Sequence, residues 1–360
     1  MGSYKEIMRI AGAFVGVIVG AGFASGQEIM QFFTSFGMIG LLGAVVSSAL
    51  FVFLAMALSS LGQQQTSTSH KAVIHAICGP YLGMFVDALI TFFMFAITVV
   101  MIAGGGALLE QLAGIPRIWG SVGVTLLTIL IVFLDLHRVI SFIGAITPLL
   151  ALMVVIVAAA TIFGRDVDTA TLEAAAAEMP RGAGNWLVAA LLYVSYNIVA
   201  GAPFLIIMGG QSPSRRDAVW GGILGGALLG ALMLLIAGSM FARADSLAEV
   251  PMPMLLLATQ LSPIAGVVMG IAIFGMILNT AVGVLYSFSA RVLEPGTTSF
   301  RVGTAVAGAL AFLGSLFGFI QLVGTVYPFF GYLGFVLMAA TLIGWLRMKS
   351  GRLENTGAAT

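Results

Sequence analysis

Two clusters along the chain set polar groups beside residues that weaken a helix. The first is Gly20-Ala21-Gly22-Phe23-Ala24-Ser25-Gly26, followed at once by Gln27 and Glu28. The second holds Tyr193, Ser195, Tyr196 and Asn197, followed by Ala200, Gly201 and Pro203. Glycine inside a helix costs about 1 kcal/mol relative to alanine, and proline about 3 kcal/mol. A helix broken at such a run exposes amides at the start of its second half, which suit a carboxylate, and carbonyls at the end of its first half, which suit a cation. The chemistry is therefore recognition of a small charged or zwitterionic solute. Gly20, Ala21, Gly22, Phe23, Ala24 and Ser25 are expected to offer amides to its carboxylate. Carbonyls of 196–201, with Tyr196 or Asn197, are expected to meet its amine, Ala200 and Gly201 included. A betaine-like cation could instead stack on Phe23 or Tyr196. Glu28 is a candidate for carrying a proton, pairing an amine or gating the path; the plain alternative is a carboxylate satisfied by amides at the start of a half-helix.

The elements that must hold these residues are membrane helices. The chain is 60% hydrophobic and 8% charged, with mean hydropathy +1.11, against about 25% charged in ordinary soluble chains. Apolar runs of about 20 residues recur, the length of a bilayer span. The first run is too long for a signal-peptide core. We count ten spans: 7–36, 37–61, 82–111, 117–134, 139–163, 186–209, 217–242, 263–291, 300–318 and 322–346. The fold class is an all-α integral membrane protein, and its first partner is the lipid bilayer. A net charge of +1 argues against a nucleic-acid partner. The one cysteine, Cys78, excludes an internal disulfide and a Cys-based metal cage. His70, His75 and His137 read as solvated loop residues, and no nucleophile–base set stands out, so an enzyme is not expected and no cofactor is implied.

Lysine and arginine set the orientation. With the N-terminus in the cytoplasm, Lys5, Arg9, Lys71, Arg138, Arg215, Arg216, Arg291, Arg301, Arg347, Lys349 and Arg352 lie inside. Only Arg117, Arg165, Arg181 and Arg243 lie outside. Both termini are thus placed in the cytoplasm of a bacterial inner (plasma) membrane. The loop 164–185, with Asp166, Asp168 and an Ala-rich stretch suited to a short helix, separates repeat 1–163 from repeat 186–346, and 347–360 forms a tail. Five spans per half force the second half to enter from the opposite side, a 5+5 inverted repeat. Helices 1 and 6 are expected to be discontinuous at the two clusters. Discontinuous helices at matching places in two halves point to the central site of a secondary transporter. Bland readings remain beside this one. Gly12, Gly16 and Gly20 suit a packing seam, and span 6 could be a proline-kinked helix with its tyrosines packed. Phe92, Phe95 and Val99 in span 3 form an i, i+3, i+7 stripe facing either a pocket or a neighbour, and the glycines from 221 to 230 read as close helix contact.

The run Val19-Gly20-Ala21-Gly22-Phe23-Ala24-Ser25-Gly26-Gln27-Glu28-Ile29, followed by Gln31-Phe32-Phe33, resembles the YkvI-type bacterial membrane proteins. These are similar to the amino acid–polyamine–organocation superfamily, whose members share the leucine-transporter fold. The resemblance spans essentially the whole chain and implies alternating access, with helices 1, 2, 6 and 7 rocking against 3, 4, 8 and 9. It also implies a sodium site at the carbonyls of Gly16 and Val19 and the side chains of Asn279 and Thr280. Proton-coupled members often carry a lysine in span 5, and 139–163 has none. The expected function is secondary transport of a small neutral or zwitterionic solute, an amino acid first, with Na+ as coupling ion. A ten-span receptor of the same fold and a proton-coupled transporter using Glu28 stay open. A channel lacks its expected continuous polar stripe.

Overall fold

The computed structural model describes residues 2–65, 70–134, 146–162 and 168–350. Expectations resting on His137, Arg138, Arg165, Asp166, Arg352 and 139–145 lie outside them. In lipid every backbone group must bond within its own segment, so apolar runs of this length fold as helices. In chain order these are α1 (Gly2–Ile18), α2 (Ala21–Ser25), α3 (Gln27–Phe32), α4 (Gly37–Gln65), α5 (His70–Ala113), α6 (Arg117–Phe133), α7 (Ile146–Ile162), α8 (Thr169–Ala177), α9 (Trp186–Gly210), α10 (Arg215–Phe241), α11 (Pro253–Leu261), α12 (Pro263–Val292), α13 (Thr298–Ser315) and α14 (Phe319–Lys349). No strand occurs among the described residues. Six stretches there are long and apolar enough to cross a bilayer: Gln27–Gln65, Val73–Ala113, Trp186–Gly210, Arg215–Phe241, Pro263–Val292 and Phe319–Lys349. Arg117–Phe133 and Pro148–Ile162 are shorter apolar helices.

The bundle closes by backbone approach at glycines, as expected where lipid removes the hydrophobic drive between helices. A β-carbon on Gly222 of α10 would lie 2.6 Å from the Ala55 carbonyl oxygen of α4, and one on Gly226 2.6 Å from Val52 Cα. Gly221, on the other side of α10, faces Ile10 of α1 at 2.7 Å. These glycines are the close contacts the sequence suggests. Gly62 of α4 and Gly209 of α9 face each other's helices in the same way, each 2.1 Å from a carbonyl oxygen, those of Ile206 and Ser59.

Several expectations change. Helix 1 breaks, but helix 6 does not: α9 runs unbroken through Tyr196, Asn197, Gly201 and Pro203. Proline removes one N–H from the ladder, and a helix walled in by neighbours accommodates that loss. The polar side chains of α9 reinforce it. Asn197 Nδ2 donates to the Tyr193 carbonyl at 2.8 Å, and the Ser195 hydroxyl to the Gly331 carbonyl of α14 at 2.7 Å. Gly201 makes room for Phe14, whose ring stands 2.8 Å from its β-carbon position. Among the described residues no neighbour packs on the Gly12–Gly16 face, where a β-carbon at either position meets nothing within 4 Å. His75 is half-buried in the first part of α5, ahead of a kink at Gly79, rather than in a loop. The Ala-rich stretch does form a helix, α8, and it packs inward through Leu172 and Ala176.

Candidate solute and cation site

α1 ends where its ladder fails. Val19 N–H still reaches the Val15 carbonyl at 2.8 Å, but Gly20 N–H turns to the Ile18 carbonyl at 2.7 Å and so releases the Gly16 carbonyl. Gly20 itself is extended, and α2 begins after it with Ala24 N–H on the Gly20 carbonyl at 2.9 Å. A second bend follows at Gly26, whose φ of +83° is left-handed and favours glycine. A β-carbon there would also press on Met254 and Met240 at 2.9 and 3.0 Å. The two bends turn α3 so that Glu28 points back at the break.

Glu28 is 6% exposed and its Oε2 accepts a hydrogen bond from the Tyr196 hydroxyl at 2.7 Å. Its carboxyl lies against Gly22, with Oε1 only 1.8 Å from where a β-carbon on Gly22 would be. That is why residue 22 has no side chain. Tyr327 of α14 stacks on Tyr196 with centroids 4.7 Å apart and planes 11° apart, and lines the same chamber as Glu28. Phe93 of α5 sets its edge against both rings at 6.3 Å. Together with Gly20, Asn197 and Thr280 these groups wall a chamber of about 50 Å³.

A larger cavity of about 430 Å³ adjoins the chamber. Phe93, Ile97, Ala200 and Thr280 border both spaces. From the break it extends along α1, α5, α9 and α12 past Tyr286 and Ser287. It runs toward the end of the bundle where Arg291 Nη1 donates to Asp87 Oδ1 at 2.8 Å and to Thr91 at 3.1 Å. Gly16, Asn279 and Thr280 line it. The Thr280 hydroxyl is 3.4 Å from the β-carbon position of Gly20, directly beside the break. Glutamine side chains tie the opposite side together. Gln31 Nε2 donates to the Ile320 carbonyl at 2.9 Å, and Gln111 of α5 holds Met252 through two bonds of 3.0 Å, one to N–H and one from the amide to C=O. Gln27, its amide turned to satisfy both ends, donates to the Val250 and Pro251 carbonyls at 3.0 and 3.2 Å.

Among the expected site residues, Gly20, Gly22, Tyr196, Asn197, Ala200 and Glu28 meet in the chamber, and Gly16, Asn279 and Thr280 meet beside it. Val19, Phe23, Ala24, Ser25 and Gly201 do not border either space. Ser25 is spent locally, its hydroxyl donating to the Gly22 carbonyl at 2.9 Å and accepting from Gln27 N–H at 3.2 Å. Of Ala21 only the backbone is described. Phe92 is 66% exposed and faces away from the bundle, so the site-facing ring of that helix is Phe93, one residue on. Tyr327 and Phe93 were not among the expected residues. The Tyr327-Pro328 pair, a phenol beside a helix-interior proline, repeats the signature of the second cluster and is the signal that marks it.

No family model matches the chain. It is 25% identical over 338 residues to the uncharacterized membrane protein YkvI of Bacillus subtilis, covering 93% of this chain and 94% of that one. It is also 25% identical over 329 residues to YyaD of the same organism, covering 91% and 94%. Similar solved structures are the inward-facing conformation of Mhp1 (TM-score 0.64, 16% identity, 96% of this chain and 77% of that one) and MhsT in complex with L-phenylalanine (0.62, 16%, 96% and 89%). A mutant of the Eremococcus coleocola manganese transporter follows (0.63, 14%, 98% and 82%). The resemblance to YkvI-type membrane proteins stands, and the fold is of the leucine-transporter type. Of these structural neighbours, the Eremococcus coleocola protein is named as a transporter.

Proposed function

We propose that this leucine-transporter-fold chain is a secondary active transporter, moving a small ammonium-bearing solute by alternating access with Na+ as its coupling ion. The observation that carries the reading is the break at Val19–Gly20: it opens on a chamber holding one buried carboxyl, beside a cavity that runs along α1, α5, α9 and α12. Amino acids fall within this class through their amines. The freed Gly16 carbonyl, the Asn279 amide and the Thr280 hydroxyl supply the oxygen donors a hard cation takes. The Val19 carbonyl would complete the set. Ten spans in two inverted halves, both termini in the cytoplasm and a bacterial inner membrane complete the proposal.

Uptake of radiolabelled solute into proteoliposomes tests it. An imposed sodium gradient is expected to drive accumulation above the equilibrium level, and Thr280→Ala to abolish the sodium dependence. Binding without accumulation would make the chain a receptor. A proton-coupled transporter is the second reading, favoured by the burial of Glu28 on Tyr196. A proton gradient driving uptake in sodium-free buffer would establish it.

A further inference from the structure

Resting on the transporter reading, we infer that the central site is built for a monoamine with an apolar body and no free carboxylate. Charge is the first argument. Glu28 contributes a carboxyl to the chamber, while among the described residues no lysine, arginine or histidine lines the chamber or the adjoining cavity. A charged group enters such a place only with a partner, and an ammonium is the partner Glu28 lacks. A zwitterion would bring a second carboxylate as well. At Gly22, one of the residues whose amides were expected to receive it, the protein's own Glu28 carboxyl already occupies the space beside the β-carbon position. Two carboxylates sharing one site oppose each other's ionisation.

Shape is the second argument. The chamber, at about 50 Å³, takes an ammonium head or a few waters, each needing about 10–15 Å³. The body must then lie in the larger cavity, whose walls include Ile90, Met94, Val199, Phe204 and Val284. The stacked Tyr196 and Tyr327 add aromatic faces near the head, which attract cations. A charged head in a small chamber and a body in an apolar room describe a phenethylamine- or isopentylamine-like molecule.

The test compares each amine with its parent amino acid on the purified full-length chain, by calorimetric titration in detergent with sodium present. Phenethylamine is expected to bind at least about ten-fold more tightly than L-phenylalanine, and isopentylamine than L-leucine. Glu28→Gln is expected to erase the difference and Glu28→Asp to keep most of it. Should Glu28→Gln not elute as a folded species, Tyr196→Phe, which keeps the ring and removes only the hydroxyl, is expected to lower amine affinity selectively. Equal or tighter binding of the amino acids, no binding of either amine, or an amine preference that survives Glu28→Gln would overturn the inference. Counterflow in proteoliposomes separates this failure from that of the transporter reading. Amine binding without counterflow removes transport and leaves the monoamine site. Counterflow of leucine with no amine preference does the reverse.

Discussion

Span 1 and α9 carry the same warning residues, and only one of them breaks. Span 1 has Gly20, Gly22 and Gly26 within seven positions; α9 has Gly201 and Pro203 beside three hydrogen-bonding side chains. In span 1 the missing side chains are used by the backbone: Gly26 takes a left-handed φ, and Gly22 yields its place to a carboxyl. In α9 they are used by neighbours, Phe14 against Gly201 and the Ser59 carbonyl against Gly209, while Ser195 and Asn197 tie the helix to carbonyls. What separates the two is backbone conformation rather than unfilled space: Gly20 is extended and Gly26 left-handed, whereas Gly201 and Gly209 stay inside a continuous helix. Under the proposed alternating access, the pair is asymmetric, one broken helix beside one continuous helix.

Substitutions at these glycines test the distinction, and the largest effect should come from the rigid partner. Gly209→Ala drives a β-carbon to 2.1 Å from a main-chain oxygen of α4, which no rotamer can relieve. Overpacking of this kind costs about 1–3 kcal/mol and sometimes more. We expect a drop of several degrees in detergent melting temperature, or loss of the folded peak in size exclusion. An unchanged melt would mean that α4 and α9 do not cross this closely. Gly26→Ala comes next. A left-handed alanine costs about 1–2 kcal/mol, and Met254 and Met240 can partly give way, so a smaller fall in melting temperature is expected. No change would remove the bend between α2 and α3.

The jointed helix was legible in the sequence because its signal is local: six small residues around Phe23 leave no run of large side chains to hold the helix. The close packing of α10 was legible for the same reason, since glycines at 221, 222, 225 and 226 mark two faces of one helix. The intact state of α9 was not, because Phe14, Ser59 and Gly331 lie far away in sequence and only the fold brings them to it. Glu28 was recognised as a candidate, yet its direction depended on the turn at Gly26, which sends it toward Tyr196 instead of along the outer path. Phe93 escaped for a simple reason. In the i, i+3, i+7 stripe only Phe92 is exposed, while Phe95 packs on Phe288 and Val99 is buried, and only packing against α9 and α14 says that Phe93 turns inward. Asn279 and Thr280 carry no periodic mark and were reached through resemblance alone.

A smaller effect is expected at Ser195→Ala, which removes the bond to the Gly331 carbonyl; such interhelical bonds in membranes average about 0.6 kcal/mol. If α9 is rigid because of many such ties, losing one should shift the melt only slightly and leave solute binding intact. A large loss of binding would mean that this stretch moves during the cycle.

The smallest effect, and the one of opposite sign, belongs to Gly12→Ala. Gly12 lies inside α1, exposed, and a β-carbon there meets nothing within 4 Å. It thus serves neither the joint, eight residues away, nor any neighbour. Alanine should recover up to about 1 kcal/mol of helix propensity, less in lipid-facing surroundings where the ladder is already enforced. The melting temperature should hold or rise slightly, with solute binding unchanged. A fall would show that another helix or another copy of the chain approaches α1 at this face, and the four-residue spacing of Gly12 and Gly16 would then be a packing seam after all.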